Sequence, residues 1–70
     1  MKYIKQENKG KVKTTMFFNE NTNKYIVERK TKNTLWKERT GSREHADYLF
    51  WLFLHGSQNR IMYELIFIGG

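Results

Sequence analysis

GSREHADYLFWLFLHG, Gly41 to Gly56, is the stretch on which the fold turns. Within it Ala46, Leu49, Phe50, Phe53 and Leu54 recur at i, i+3, i+4, i+7 and i+8, the spacing of a helix with one face against a core. Ser42 precedes the run as an N-cap whose hydroxyl can accept from first-turn N–H groups. Glu44 complements the positive end of the helix dipole, and Gly56 falls at the C-cap. A helix is therefore expected between Ser42 and Gly56.

Upstream of Gly41 the period is two. From Lys11 to Phe18, Val12, Thr14, Met16 and Phe18 alternate with Lys11, Lys13, Thr15 and Phe17, which predicts a half-buried strand with one apolar face and one that begins basic. Lys2 to Glu7 reads as the strand before it, joined through Asn8-Lys9-Gly10 as a three-residue hairpin loop with Gly10 at positive φ. Asn19 to Asn23 is a loop, because Asn tolerates left-handed backbone and bonds its own chain. The β-branched and aromatic residues of Lys24 to Thr31 make the next strand, and Lys32-Asn33 turns into Thr34 to Thr40. In that last strand Trp36 is expected inward and Lys37 and Arg39 outward. After the helix and a Ser57-Gln58-Asn59 loop, Arg60 to Ile68 reads as a buried strand, with a short helix as the alternative that Met62 and Glu64 leave open. The order is β-β-β-β-α-β: an α+β domain with one helix packed on one face of a small antiparallel sheet.

Seventy residues leave room for a single domain, 1–70, and a chain this short buries only about 60% of its unfolded surface. With no Cys, it has neither disulfides nor thiolate-held metal to stabilise it. Two Trp, four Tyr and five Phe against a lone Ala, Ala46, suggest a thin core filled by a few large side chains. The basic, then polar N-terminus lacks the apolar core of a signal peptide. The longest apolar run, Tyr48 to Leu54, falls well short of the ~18 residues that span a bilayer. A cytoplasmic protein without a membrane partner is expected. The Lys, Asn, Ile, Phe and Tyr usage, with no Pro, suits an AT-rich genome such as that of a low-GC bacterium or its phage.

Catalytic signatures are missing. His45 and His55 lie ten positions apart, about 1000° around the helix, so they cannot hold a metal together. Ser42, His45 and Asp47 crowd one helix end and cannot line up as nucleophile, base and orienting acid. Carboxylates occur singly, and neither a Walker A loop nor a GxGxxG stretch is present. The expectation is a non-enzyme with no metal, cofactor or small-molecule substrate.

Charge is more informative. The chain carries 13 Lys and Arg against 7 Asp and Glu, a net +6. Residues 1–43 hold twelve basic and four acidic side chains, net +8, and residues 44–70 one and three, net −2. On alternating strands Lys11 and Lys13, Lys30 and Lys32, and Lys37 and Arg39 would project from neighbours about 4.8 Å apart and gather into one patch. Such a patch fits a phosphate backbone, which releases counterions when neutralised. Arg43 adds to it, since a cation in the first helical turn opposes the dipole unless an anion bridges it to the free N–H groups. Lys11, Lys13, Lys30, Lys37, Arg39 and Arg43 are the candidate nucleic-acid-binding residues, with DNA the expected partner. Strand lysines also block edge pairing and keep an aromatic-rich protein soluble, which is the structural reading of the same residues.

A three-stranded meander with basic outer residues, followed through a short Gly-Ser turn by one helix, resembles the AP2-type and integrase arm-binding DNA domains over Lys11 to Leu54. The resemblance is one of architecture, without a shared motif. It implies a sheet entering the major groove, with Lys11, Lys13, Lys30, Lys37 and Arg39 at the contacting positions and Trp36 joining them if the strand faces the other way. The strand before the meander and the apolar run after the helix depart from that pattern.

The helix offers a second surface. With Leu49, Phe50 and Phe53 against the sheet, Tyr48, Trp51, Leu52 and His55 remain on the flank. The run Ile61 to Ile68 can cover them as core. Alternatively they form a protein interface, serving a homodimer or a captured host protein, as in a phage or mobile-element inhibitor of a host enzyme or defence factor.

Overall fold

The structure is a computed structural model and describes residues 1–63. Four strands, β1 (Lys2–Lys9), β2 (Val12–Asn19), β3 (Lys24–Lys30) and β4 (Leu35–Thr40), form one antiparallel sheet in sequential order. Helix α1 (Arg43–His55) packs across one face, and a short helix, α2 (Gln58–Tyr63), follows. This is a small α+β fold, with β2–β4 and α1 as the expected meander and helix and β1 added at the β2 edge.

The turns follow from local chemistry. Lys9 pairs with Val12, so the first hairpin closes on two residues, Gly10-Lys11, rather than three. Gly10 takes φ +60° at the first central position, as a type II′ turn requires, and this turn suits the twist of the flanking strands. Asn23 takes the left-handed conformation, φ +56°, beside Lys24, and the Asn19 side chain accepts from the Asn21 N–H at 3.0 Å. Thr31 closes the last hairpin: its N–H donates to the Thr34 carbonyl and its hydroxyl accepts from the Thr34 N–H. A bulge between Tyr3 and Lys5 inserts Ile4, which is half-buried against the core.

Met16 and Val27, cross-strand partners at the sheet centre, are fully buried under Ala46, Leu49, Phe50 and Phe53 of α1. Burying each of the larger side chains contributes about 1.5–3 kcal/mol. Trp36 packs against this core from β4, the inward placement expected, while Lys37 and Arg39 are exposed on the other side. Ser42 caps α1 by accepting from the His45 N–H at 3.2 Å. At the other end the Gly56 N–H donates to the Leu52 carbonyl at 2.7 Å. Gly56 is needed for close approach rather than for unusual backbone. Its φ is −75°, but a Cβ there would sit 2.6 Å from the Leu52 carbonyl oxygen.

Beyond Gly56 the expectation of a strand from Arg60 to Ile68 is corrected. Arg60 to Tyr63 belong to α2, while 64–68 lie outside the described residues. The Ser57 hydroxyl accepts from the Arg60 N–H at 3.2 Å, an N-cap that starts the turn. Ile61, fully buried, then closes over the Leu52 side of α1.

Arg29 ties sheet to helix. It sits on the helix face of β3, is 7% exposed, and donates Nε–H to the Phe53 carbonyl at 3.0 Å. That carbonyl is among the last four of α1, which lack intrahelical partners. The guanidinium also lies 5.7 Å from the Trp36 ring centroid.

Candidate nucleic-acid interface

Among the described residues no helix covers the sheet face turned away from α1. Strand register arranges that face in three rows about 7 Å apart, the advance of two strand residues. The first row runs Tyr3, Phe17, Ile26, Arg39; the second Gln6, Thr15, Glu28, Lys37; the third Asn8, Lys13, Lys30, Leu35. Lys24, opposite Asn19, extends the face beyond the first row.

Each row has its own chemistry. In the first, Tyr3 is 58% exposed and meets Phe17 edge-on at 6.2 Å. Ile26 beside them is nearly buried and contributes to the lining of an open hollow of about 290 Å³, shared with Met1, Glu28, Lys37 and Arg39. The second row is internally paired: Thr15 donates to Gln6 at 3.4 Å, and Lys37 Nζ lies 3.7 Å from Glu28 Oε2. The third places Lys13 directly opposite Lys30, a like-charge cross-strand pair that opposes folding. Among the described residues the face thus carries Lys13, Lys24, Lys30, Lys37 and Arg39 against a lone carboxylate, Glu28.

Four of the six residues expected to bind nucleic acid, Lys13, Lys30, Lys37 and Arg39, share this face. Lys11 sits in the hairpin turn beside Lys13, at the rim. Lys24 belongs with them, and period-two alternation from Ile26 was the signal for it. Arg43 lies elsewhere. On the helix side its Nε donates to Asp47 Oδ1 at 3.3 Å, and its guanidinium is 5.7 Å from the Tyr25 centroid. The hydrogen bond to the Asp47 carboxylate stabilises the charged guanidinium and raises its pKa, so Asp47 already supplies the anion that Arg43 needs in the first turn. Asp47 also holds Lys5 at 3.4 Å, and Lys9 Nζ lies 3.0 Å from His55 Nδ1.

On the outer surface of α1, Tyr48, Trp51 and His55 are exposed, at 42% and 48% for the first two. Leu52 is not: it is fully buried, because Ile61 of α2 covers its side of the helix, and it leaves the expected interface. The Trp51 ring lies 5.4 Å from that of His55, tilted by 43°, and 5.6 Å from the Arg60 guanidinium. Met62, at 45%, and Tyr63, at 57%, are exposed on α2.

Among the described residues no cluster of three or more His, Cys, Asp or Glu side chains could hold a metal ion, and no helix is long and apolar enough to cross a membrane. The Ser42 hydroxyl is engaged in capping α1. Compared with family models, curated proteins and solved structures, the chain matches none, so a functional reading rests on the three rows of the open sheet face.

Proposed function

We propose that this chain binds nucleic acid through the open face of its sheet and acts by binding rather than by catalysis. One observation carries the reading: Lys13 and Lys30 face each other on the sheet face that α1 leaves open, in company with Lys24, Lys37 and Arg39 and, among the described residues, with Glu28 as the lone acid. Core packing does not require this repulsion, and a polyanion relieves it. Phosphates satisfy the cations whatever the base sequence, so the face supplies affinity before specificity.

The test is a fluorescence-anisotropy titration of labelled duplex and single-stranded oligonucleotides at increasing salt. Binding should weaken with a log–log slope of about −0.9 per phosphate neutralised on duplex and about −0.7 on single strands. No complex with either at low salt would remove the reading.

Trp51 favours a second reading, as a protein-binding module such as an inhibitor carried by a phage or mobile element. It stands half-exposed between His55 and the Arg60 guanidinium, and large aromatic side chains of this kind anchor interfaces. On that reading Trp51→Ala costs the fold less than about 2 kcal/mol while weakening association by at least that much. Denaturation and sedimentation of the variant measure the two effects separately.

A further inference from the structure

The open face has more than charge, and the arrangement of its rows bears on the form of nucleic acid it receives. Resting on the reading above, we infer that the occupant is a single strand, with bases stacked on Tyr3 and Phe17 and phosphates held by Lys13, Lys30 and Arg39.

Width is the first argument. Four strands spaced about 4.8 Å apart put β1 and β4 about 14 Å apart before side chains are added, against a major groove about 12 Å wide that admits a helix or a two-stranded ribbon. A sheet of β2, β3 and β4 entering the groove would drive β1, with Tyr3, Gln6 and Asn8, into the duplex backbone. The cations are spread across β2, β3 and β4, so no narrower pair of strands collects them.

The second argument is the first row. Tyr3, beside the β1 bulge, is a large ring presented to solvent, set edge-on to Phe17, and Ile26 and Arg39 continue the same line across the sheet. Duplex DNA has its base faces stacked inside and offers nothing to such a ring. A single strand offers a π-face at every nucleotide, and an aromatic platform flanked by cations is how sheet surfaces take it. The hollow above Ile26, walled by Lys37 and Arg39 with Glu28 as an acceptor, lies next to that platform and can take a splayed base. Two rows further along the strands, four residues from Phe17 and Ile26, Lys13 and Lys30 meet the phosphates as the nucleic acid runs on.

The test compares oligo(dT), oligo(U) and a mixed-sequence duplex, each about 15 nucleotides long, at matched salt by anisotropy. Single strands should bind more tightly than the duplex, and binding by either sugar supports the inference. Tyr3→Ala should lower single-strand affinity about 5- to 100-fold, the share of one base stack, with the salt slope unchanged. Tyr3→Phe should restore it, since stacking needs the ring and not the hydroxyl. Phe17→Leu gives an independent loss, and circular dichroism melting of each variant confirms that the sheet persists. Duplex binding as tight as single-strand binding, or full affinity in folded Tyr3→Ala, overturns the single-strand inference and leaves the basic face intact. No binding to any oligonucleotide overturns both.

Discussion

The two faces of one sheet treat their cations in opposite ways. On the helix side four cations have partners: Lys5 and the helix residue Arg43 share Asp47, Lys9 meets His55, and buried Arg29 donates to the Phe53 carbonyl. On the open side Lys37 has Glu28, while Lys13 and Lys30 are set against each other. Because successive strand residues point to opposite faces, β2 and β3 can build the core with Met16 and Val27 while pointing their lysines the other way. The cations nearest α1 are paired where they sit, and the like-charge pair falls on the face that α1 does not pack against.

The contrast breaks most visibly in the core. Phe53→Ala should cost about 3–5 kcal/mol, enough to unfold a domain of this size, as read by urea denaturation. Arg29→Ala should cost about 2–3 kcal/mol through the lost hydrogen bond to α1 and the uncovered Trp36, a large effect for a charge and one that leaves oligonucleotide binding by the folded fraction intact. Thr14, opposite Arg29, sharpens the comparison from the other direction. Its buried hydroxyl has no hydrogen-bond partner among the described residues, so the isosteric Thr14→Val should raise stability by about 1 kcal/mol. The smallest change in stability belongs to the open face. Lys13→Gln should stabilise the sheet by about 0.2–1 kcal/mol, by relieving the repulsion from Lys30, while reducing the salt slope for single strands by about 0.7. A substitution there that unfolds the protein would show the two faces to be less separate than their charges indicate.

Residues whose partners lie close along the chain are legible in the sequence itself. Alternation from Val12 to Phe18 announces both faces of β2, and Ser42, Gly56 and the spacing from Ala46 to Leu54 announce α1. The misreadings share a cause. An apolar run after Arg60 suits a buried strand or a buried helix equally, and the deciding residue is Ser57, whose hydroxyl caps α2. Counting α1 alone sets Leu52 on the flank, whereas it is fully buried in the same core cluster as Ile61 of α2. Arg29 gives no local sign of its role, since the carbonyl it serves lies 24 residues away. The open rows need the register of all three strand pairs, and setting Tyr3 beside Phe17 takes both the two-residue turn at Gly10-Lys11 and the bulge at Ile4.

Sequential strand order has a kinetic consequence. Each strand pairs with the one synthesised just before it, so the sheet can zip through three hairpins whose loops are short, each an event of about 1–10 μs. Helix docking is the step with distant contacts, and Arg29 cannot reach Phe53 until β3 is held between its neighbours. A β-rich chain of this topology should therefore fold faster than sandwiches or barrels of similar size, with α1 settling onto a meander already in register.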